Sequence, residues 1–330
     1  MTASSHNGVA RVDHPRHAVA SGPMTPGRIV LYALMTTVWG SSFFFTSLAL
    51  DAFTPFQIVF IRMLLATTIL GAVVSVIRPR WPRTAALWGH FALLGLFSIA
   101  LPYSLLTWAQ VWVDSSTAIV LSSTTPIFVF LIATLGLRTE VFGVGRLAAV
   151  GLAFTGVAVL TLGGGAHSSN LFWSIVIVAT SVNYAAANVY TKRFVSHVHP
   201  LLTALLQIGF GTVWLLPVLL ITGEWRPPAD VGLGSLLAVL ELGILGSAFG
   251  YVLFFYFIAT WGSTITSLNT YLQPLVGITL GVVVLGERPG WQAWLGIAIV
   301  LAGVIWFGFL TLRAAAGQRP FRRFAGRAGA

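Results

Sequence analysis

Two ionisable side chains, Arg62 and Glu241, lie well inside stretches of sequence that are otherwise apolar. The cost of placing charge in such surroundings makes both candidates for a working role. Polar residues accompany them at helical spacing, where positions three and four apart share a face. Tyr103, Thr107 and Gln110 form one stripe; Thr180, Tyr184, Asn188 and Thr191, with Asn183 beside them, form a second; Thr266, Asn269, Thr270 and Gln273 form a third; Ser122 and Thr125 stand just ahead of Pro126. Such groups can hold a small polar solute inside an apolar surround. Single hydroxyls can equally do no more than join two helices, at about 0.6 kcal/mol each, so the amides Asn183, Asn188, Asn269 and Gln273 carry more of the cavity reading. Trp39, Tyr103, Trp108, Tyr184 and Tyr251 could supply its walls, since an aromatic ring offers large apolar area, and Tyr and Trp add one polar handle.

Pro126 and Pro274 each fall near the middle of an apolar stretch, where a proline removes one backbone hydrogen bond and displaces the carbonyl four residues earlier. Those carbonyls belong to Ser122 and Thr270. Interrupted helices at matching places point to a binding site; a kink that only aids packing is the plainer alternative.

These residues need elements to position them, and the composition says which. The 330 residues are 57% hydrophobic and only 8% charged, with a mean hydropathy of +0.89, whereas soluble domains carry roughly 25% charge. A bilayer-spanning helix needs about 20 largely apolar residues. Ten such stretches can be placed, at 30–50, 56–77, 87–108, 116–137, 143–162, 171–190, 201–221, 233–259, 264–285 and 291–312. They lack the alternation of a β-barrel strand and are long enough to satisfy their own backbone, so the expectation is an all-α integral membrane protein.

The net charge of +10 suggests nucleic acid only until its placement is read. All 18 Lys and Arg except Arg62, Arg226 and Arg288 fall on the two tails or the even-numbered loops. By the positive-inside rule both termini are cytoplasmic, in a multi-pass protein of the cell membrane, and no nucleic-acid partner is needed. Residues 1–27 read as a disordered cytoplasmic tail and 313–330 as a basic one that could touch anionic lipid. With no cysteine, thiolate metal sites and iron–sulfur clusters are excluded, and the His residues lie mostly in tails and loops; no metal or cofactor is expected. Neither a phosphate-cradling loop nor a His-Glu-x-x-His motif occurs, so neither an enzyme nor an ATP-driven pump is indicated.

The sequence also repeats. Trp39-Gly40 and Pro55 are answered by Tyr184-Ala185 and Pro200, 145 residues on; Tyr103, Ser122 and Pro126 by Tyr251, Thr270 and Pro274, 148 residues on; Glu140 and Gly156 by Glu287 and Gly303, 147 residues on. Two units result, 28–163 and 169–312, each of five helices. An odd number inverts the second unit against the first, a common device of secondary transporters.

Trp-Gly-Ser-Ser-Phe at 39–43, Pro55-Phe56 with Phe60-Ile-Arg62-Met63, Ser115-Ser-Thr-Ala with Pro126 and Glu140, and Ser263-Thr with Pro274 and Leu-Gly-Glu287 together resemble the drug/metabolite transporter superfamily in its ten-helix EamA-like form. The resemblance spans residues 29–312 and implies export of amino acids, related metabolites or small toxic compounds. Gln207 stands where Arg62 would repeat, so the role of Arg62 need not be duplicated. An uptake carrier or exchanger of the same fold, and a membrane assembly or signalling protein that moves nothing, remain as rivals.

Arg62 and Glu241 each lie roughly 10 to 12 Å below the outer boundary at about 1.5 Å per residue. They could form a static pair that neutralises two buried charges, or Glu241 could exchange a proton or bind a substrate amine. The fifth and tenth stretches hold small residues, Ala149, Ala153, Ala298 and Ala302, and almost no interior polar group; they are expected at the periphery, supporting the halves or a homodimer contact. The topology is testable in this cysteine-free chain: Ser168→Cys should react with an impermeant maleimide from outside and Ala330→Cys only from the cytoplasm. The reverse pattern would invert the assignment.

Overall fold

The computed structural model describes residues 25–132, 143–162, 170–223, 231–267 and 269–317, without the side chains at 161–162, 258–259, 262–265, 267, 312 and 314–317. Every regular element among them is helical: α1 Pro26–Leu50, α2 Pro55–Ile77, α3 Ala85–Leu94, α4 Leu101–Ala109, α5 Ser115–Ser122, α6 Thr125–Leu131, α7 Val144–Leu162, α8 Leu171–Phe194, α9 Pro200–Thr222, α10 Leu233–Glu241, α11 Gly250–Ser267, α12 Asn269–Val283 and α13 Trp291–Gly317. The starts follow local chemistry. Proline opens α1, α2 and α9, where its missing N–H would be unpaired in any case. At α2 the capping box is complete: Gln57 N donates to Thr54 Oγ1 (3.3 Å) and Thr54 N to Gln57 Oε1 (3.0 Å).

α3 and α4 join through a π-helical segment, Gly95–Ala100, and α10 and α11 through another, Leu242–Phe249. The two segments start 147 residues apart, within one residue of the offset between Tyr103 and Tyr251. Each begins or lies where a glycine meets a neighbour: a Cβ on Gly95 would be 2.5 Å from Phe210 Cβ, and one on Gly243 would be 2.7 Å from Leu65 Cδ1. The sequence reading takes both stretches as plain helices and misses the segments.

Seven helices among the described residues are long and apolar enough to cross a membrane: Pro26–Leu50, Pro55–Ile77, Ala85–Ala109, Leu171–Phe194, Pro200–Thr222, Leu233–Phe257 and Trp291–Thr311. The count of ten is not reached. The expected fourth span is broken at Ser123-Thr124 and its end lies outside the described residues; the fifth appears as the shorter Val144–Leu160; the ninth is represented by α12, 15 residues long. Large apolar side chains point outward along the bundle, Val76 82% and Ile221 85% exposed among them, a surface suited to lipid.

One apolar core joins α2 and α9 around the first π segment, with Met63, Leu70, Phe91 and Ile208 at its centre. A second joins α5, α6, α7 and α13 through Ile119, Ile127, Ala153 and Val300. α7 and α13 pack backbone to backbone: a Cβ on Gly156 would fall on Val300 N, and one on Gly303 would be 2.6 Å from Ala153 N and 2.9 Å from Ala149 O. The small residues of the fifth stretch, Ala149 and Ala153, are thus used within the chain, whereas Ala298 and Ala302 face outward. Trp261 is buried against Met35 and Phe257.

Gly303→Val should lower the apparent unfolding temperature of the purified protein, costing about 1–3 kcal/mol because backbone cannot yield as a side chain can. Ala298→Val, on the outward face, should stay within about 0.5 kcal/mol of the parent. Equal effects would contradict the packing.

Candidate functional site

A cavity of about 310 Å³ lies among α1, α2, α4, α5, α8, α11 and α12. α1 contributes Trp39, Ser42, Phe43 and Thr46; α2 contributes Arg62; α4 and its end contribute Tyr103, Leu106, Thr107 and Gln110. The broken stretch α5–α6 adds Ile119, Ser122, Ser123 and Thr125, α8 adds Tyr184 and Asn188, α11 adds Tyr251 and Phe254, and α12 adds Thr270, Gln273 and Pro274. Eleven of the seventeen polar and aromatic residues named from the sequence line this one space, and Arg62 with them; Thr180, Thr191 and Thr266 are off it.

Asn183 and Asn269 do not line it. On α8 Tyr184 and Asn188 are four apart and share the cavity face, so Asn183 is turned about 100° away; Asn269 opens α12 one turn before Gln273 and lies off the wall. Asn269 is 1% exposed, and its side-chain amide has no hydrogen-bond partner among the described residues. Trp108 is also outside the cavity, exposed and packed against Phe56 and Trp173.

Arg62 is 7% exposed. Its Nε donates to Ser247 Oγ at 2.7 Å, and its guanidinium carbon stands 4.8 Å from the centre of the Tyr103 ring. α2 packs on both α10 and the second π segment, so Arg62 and Glu241 sit on neighbouring elements, as their pairing would require. They form no salt bridge, however: Arg62 turns to Ser247, and Glu241, off the cavity wall, leaves Oε2 without a hydrogen-bond partner among the described residues.

Trp39 donates from Nε1 to Gly246 O at 2.9 Å, a carbonyl inside the π segment, and its ring packs on Tyr251 (6.0 Å) and Phe254 (5.3 Å). Gly250 lies against the indole and leaves no room for a Cβ. Tyr103 and Tyr184 meet edge to face at 5.9 Å. At the helix break, Thr125 Oγ1 donates to Ser122 O at 2.8 Å, occupying the carbonyl that Pro126 cannot serve. Pro274 behaves differently and lies inside continuous α12. Ser122 Oγ and Gln110 Oε1 are buried without partners among the described residues.

One end of the cavity is shut. Glu287, just past α12, accepts from Ser115 N (2.7 Å), Ser115 Oγ (2.7 Å) and Ser116 N (3.1 Å) at the N-terminus of α5. A carboxylate there meets both unpaired N–H groups and the positive end of the helix dipole. Gly281 admits the approach, since a Cβ would lie 2.5 Å from Glu287 Oε2. On this side the lining residues Thr46 and Gln110 are buried, while at the other end Asn188 is exposed; the cavity opens toward Asn188. The sequence reading used Glu287 and Ser115 only as repeat and family markers. Their facing positions in the two halves were the available signal. Glu140, the counterpart of Glu287, lies outside the described residues.

A multi-pass helical bundle around a cavity lined by aromatic, apolar and uncharged polar side chains and by Arg62, shut at one end, is the form of a membrane transporter. Residues 27–162 and 171–309 match the model of the EamA-like transporter family, and the chain belongs to that family. It is 29% identical over 279 residues to an "Uncharacterized transporter" of Archaeoglobus fulgidus, covering 83% of this chain and 95% of that one. It is 29% identical over 296 residues to a "Probable terminal-alkyne amino-acid exporter" of Streptantibioticus cattleyicolor, covering 89% and 98%, and 27% identical over 278 residues to the "Uncharacterized inner membrane transporter YedA" of Escherichia coli K12, covering 83% and 88%. A crystal structure 19% identical in sequence shares the fold, with a TM-score of 0.59 over 87% of this chain and 98% of that chain.

Glu287→Ala should loosen the shut end. Removing the acceptor of three hydrogen bonds, each worth about 1.5–3 kcal/mol when one partner is charged, should raise the maleimide labelling rate of Thr46→Cys by about tenfold or more from the Glu287 side. An unchanged rate would mean that something else closes the cavity.

Proposed function

We propose that the protein is a secondary carrier that exports a small metabolite, an amino acid or related compound or a small toxic compound, by alternating access through this cavity. The observation that carries the reading is the cavity itself, lined from both halves of the chain and shut at one end by a contact between them. With both termini in the cytoplasm, the Glu287 contact lies outside and the opening faces in, as an exporter loading its substrate requires. Two inverted five-helix halves would supply the opposite state by exchanging roles. The relative named as a probable amino-acid exporter favours export and that substrate class.

In this reading Trp39, Tyr103, Tyr184 and Tyr251 wall the substrate, while Gln110, Ser122, Thr125, Asn188, Thr270 and Gln273 offer it hydrogen bonds. Asn183 and Asn269 lie off the cavity wall and do not touch it. Glu241 is the coupling group: a carboxylate beside the cavity, without the static partner that would fix its charge.

Counterflow in inside-out and right-side-out vesicles tests direction, and Asn188→Ala should reduce flux in both while leaving the protein folded. Glu241→Gln should abolish flux or its pH response, and Arg62→Gln/Glu241→Gln should not recover it; full flux in the double variant would reduce the two to a static pair. Unchanged flux with altered partner binding in Asn188→Ala would favour a non-transporting assembly protein.

A further inference from the structure

The chemistry of the cavity wall specifies more than a small solute. Among the described residues Arg62 is the one ionisable side chain on the wall apart from tyrosines, and no Asp, Glu, Lys or His lines the space with it. A guanidinium has five N–H donors, and this one commits only Nε, to Ser247. Its terminal nitrogens have no acceptor among the described residues. The Tyr103 ring beneath the guanidinium and the Ser247 hydrogen bond fix its plane, so the remaining donors form a rigid fork directed at the ligand space. A planar fork with fixed orientation matches a carboxylate through two parallel hydrogen bonds.

The rest of the wall fits the remainder of such a molecule. Asn188, Gln273 and the Ser122 hydroxyl offer neutral oxygens, which can accept from an ammonium without competing for Arg62. Phe43, Leu106 and Phe254 offer apolar surface to a side chain. A cation without a carboxylate would face the guanidinium directly, with Glu241 off the wall, in a space of low dielectric constant where charge repulsion is weakly screened.

We infer that the substrate of this carrier bears a carboxylate, that Arg62 is its binding residue, and that Ser247 is the positioning residue that aims the fork. Small carboxylates and zwitterions are accepted on this account, and amines or cationic compounds lacking a carboxylate are rejected. The inference rests on the carrier reading above and narrows its substrate class. It also reverses the polarity considered from the sequence, where Glu241 could have bound a substrate amine: Glu241 is absent from the wall.

The test uses the purified full-length protein and matched pairs that differ only at the carboxyl group: L-leucine and L-leucinamide, L-phenylalanine and L-phenylalaninamide, L-threonine and L-threoninamide, hexanoate and hexylamine. Ligand binding to the native state raises the unfolding midpoint, so each pair is titrated by thermal shift. The expected result is stabilisation by at least one carboxylate, with its uncharged-head or amine partner weaker by about tenfold or more, the loss of one charge-assisted pair of hydrogen bonds. Arg62→Gln should erase that difference. Ser247→Ala, which keeps the charge but frees Nε, should lessen it severalfold and serves alone if Arg62→Gln does not fold. Amides or amines that bind as well as the acids, a preference that survives in the variant, or no stabilisation by any acid of the panel would overturn the carboxylate anchor. Amines that bind, and lose their effect in Asn188→Ala, would overturn it while leaving the carrier reading intact.

Discussion

In a hydrocarbon solvent a backbone carbonyl has no water to turn to, and this constraint governs the rest of the structure. Regular helices satisfy it along the outward faces. The irregular backbone is placed where another donor can reach it. The π segment at Leu242–Phe249 presents Gly246 O, which takes the Trp39 indole, and the break before Pro126 presents Ser122 O, which takes the Thr125 hydroxyl. Both donors belong to the cavity wall. The site is therefore positioned by the repair of backbone defects, and its aromatic and hydroxyl groups are held by hydrogen bonds that the solvent cannot replace.

The same constraint explains the division of labour between helices. α7 and α13 approach so closely at Gly156, Gly296 and Gly303 that backbone meets backbone, and neither lines the cavity. They form a stiff pair beside the working helices. Around the cavity the contacts are of another kind: Arg62 to Ser247, Trp39 to Gly246 and Glu287 to Ser115 each join distant parts of the chain by a few directional bonds. Contacts of that kind can be exchanged for others in a way that interlocked backbones cannot.

Much of the site was legible from periodicity. Tyr103, Thr107 and Gln110, and Tyr184 with Asn188, follow helical spacing and share the cavity. Asn183 lies off the wall for the same reason in reverse: a polar type next to a stripe is one residue, and about 100°, off the face that matters. Asn269 keeps the helical spacing to Gln273 but sits at the first turn of α12, off the wall. No residue type in Gly95–Ala100 or Leu242–Phe249 distinguishes a π segment from a plain helix, and the close neighbours of Gly95 and Gly243, Phe210 and Leu65, lie on other helices. The all-helical membrane class was plain in the composition. The number of spans was not, because a stretch such as 116–137 has the apolar content of one helix and is divided at Ser123-Thr124. Arg62 and Glu241 were recognisable as unusual, but their depth in the membrane could not say which neighbour each would turn to.

The Glu287 contact has an evolutionary consequence. Two of its three donors are main-chain N–H groups of Ser115 and Ser116, which every amino acid except proline supplies. Drift at those positions leaves most of the contact in place, so heritable variation in its strength falls on Glu287 itself and on Gly281, whose missing side chain makes the approach fit. Two codons thus hold most of the adjustable range, one setting the charge and the other the clearance. Lineages could retune how firmly this end closes while leaving the ligand-lining residues, and the chemical selectivity they encode, untouched.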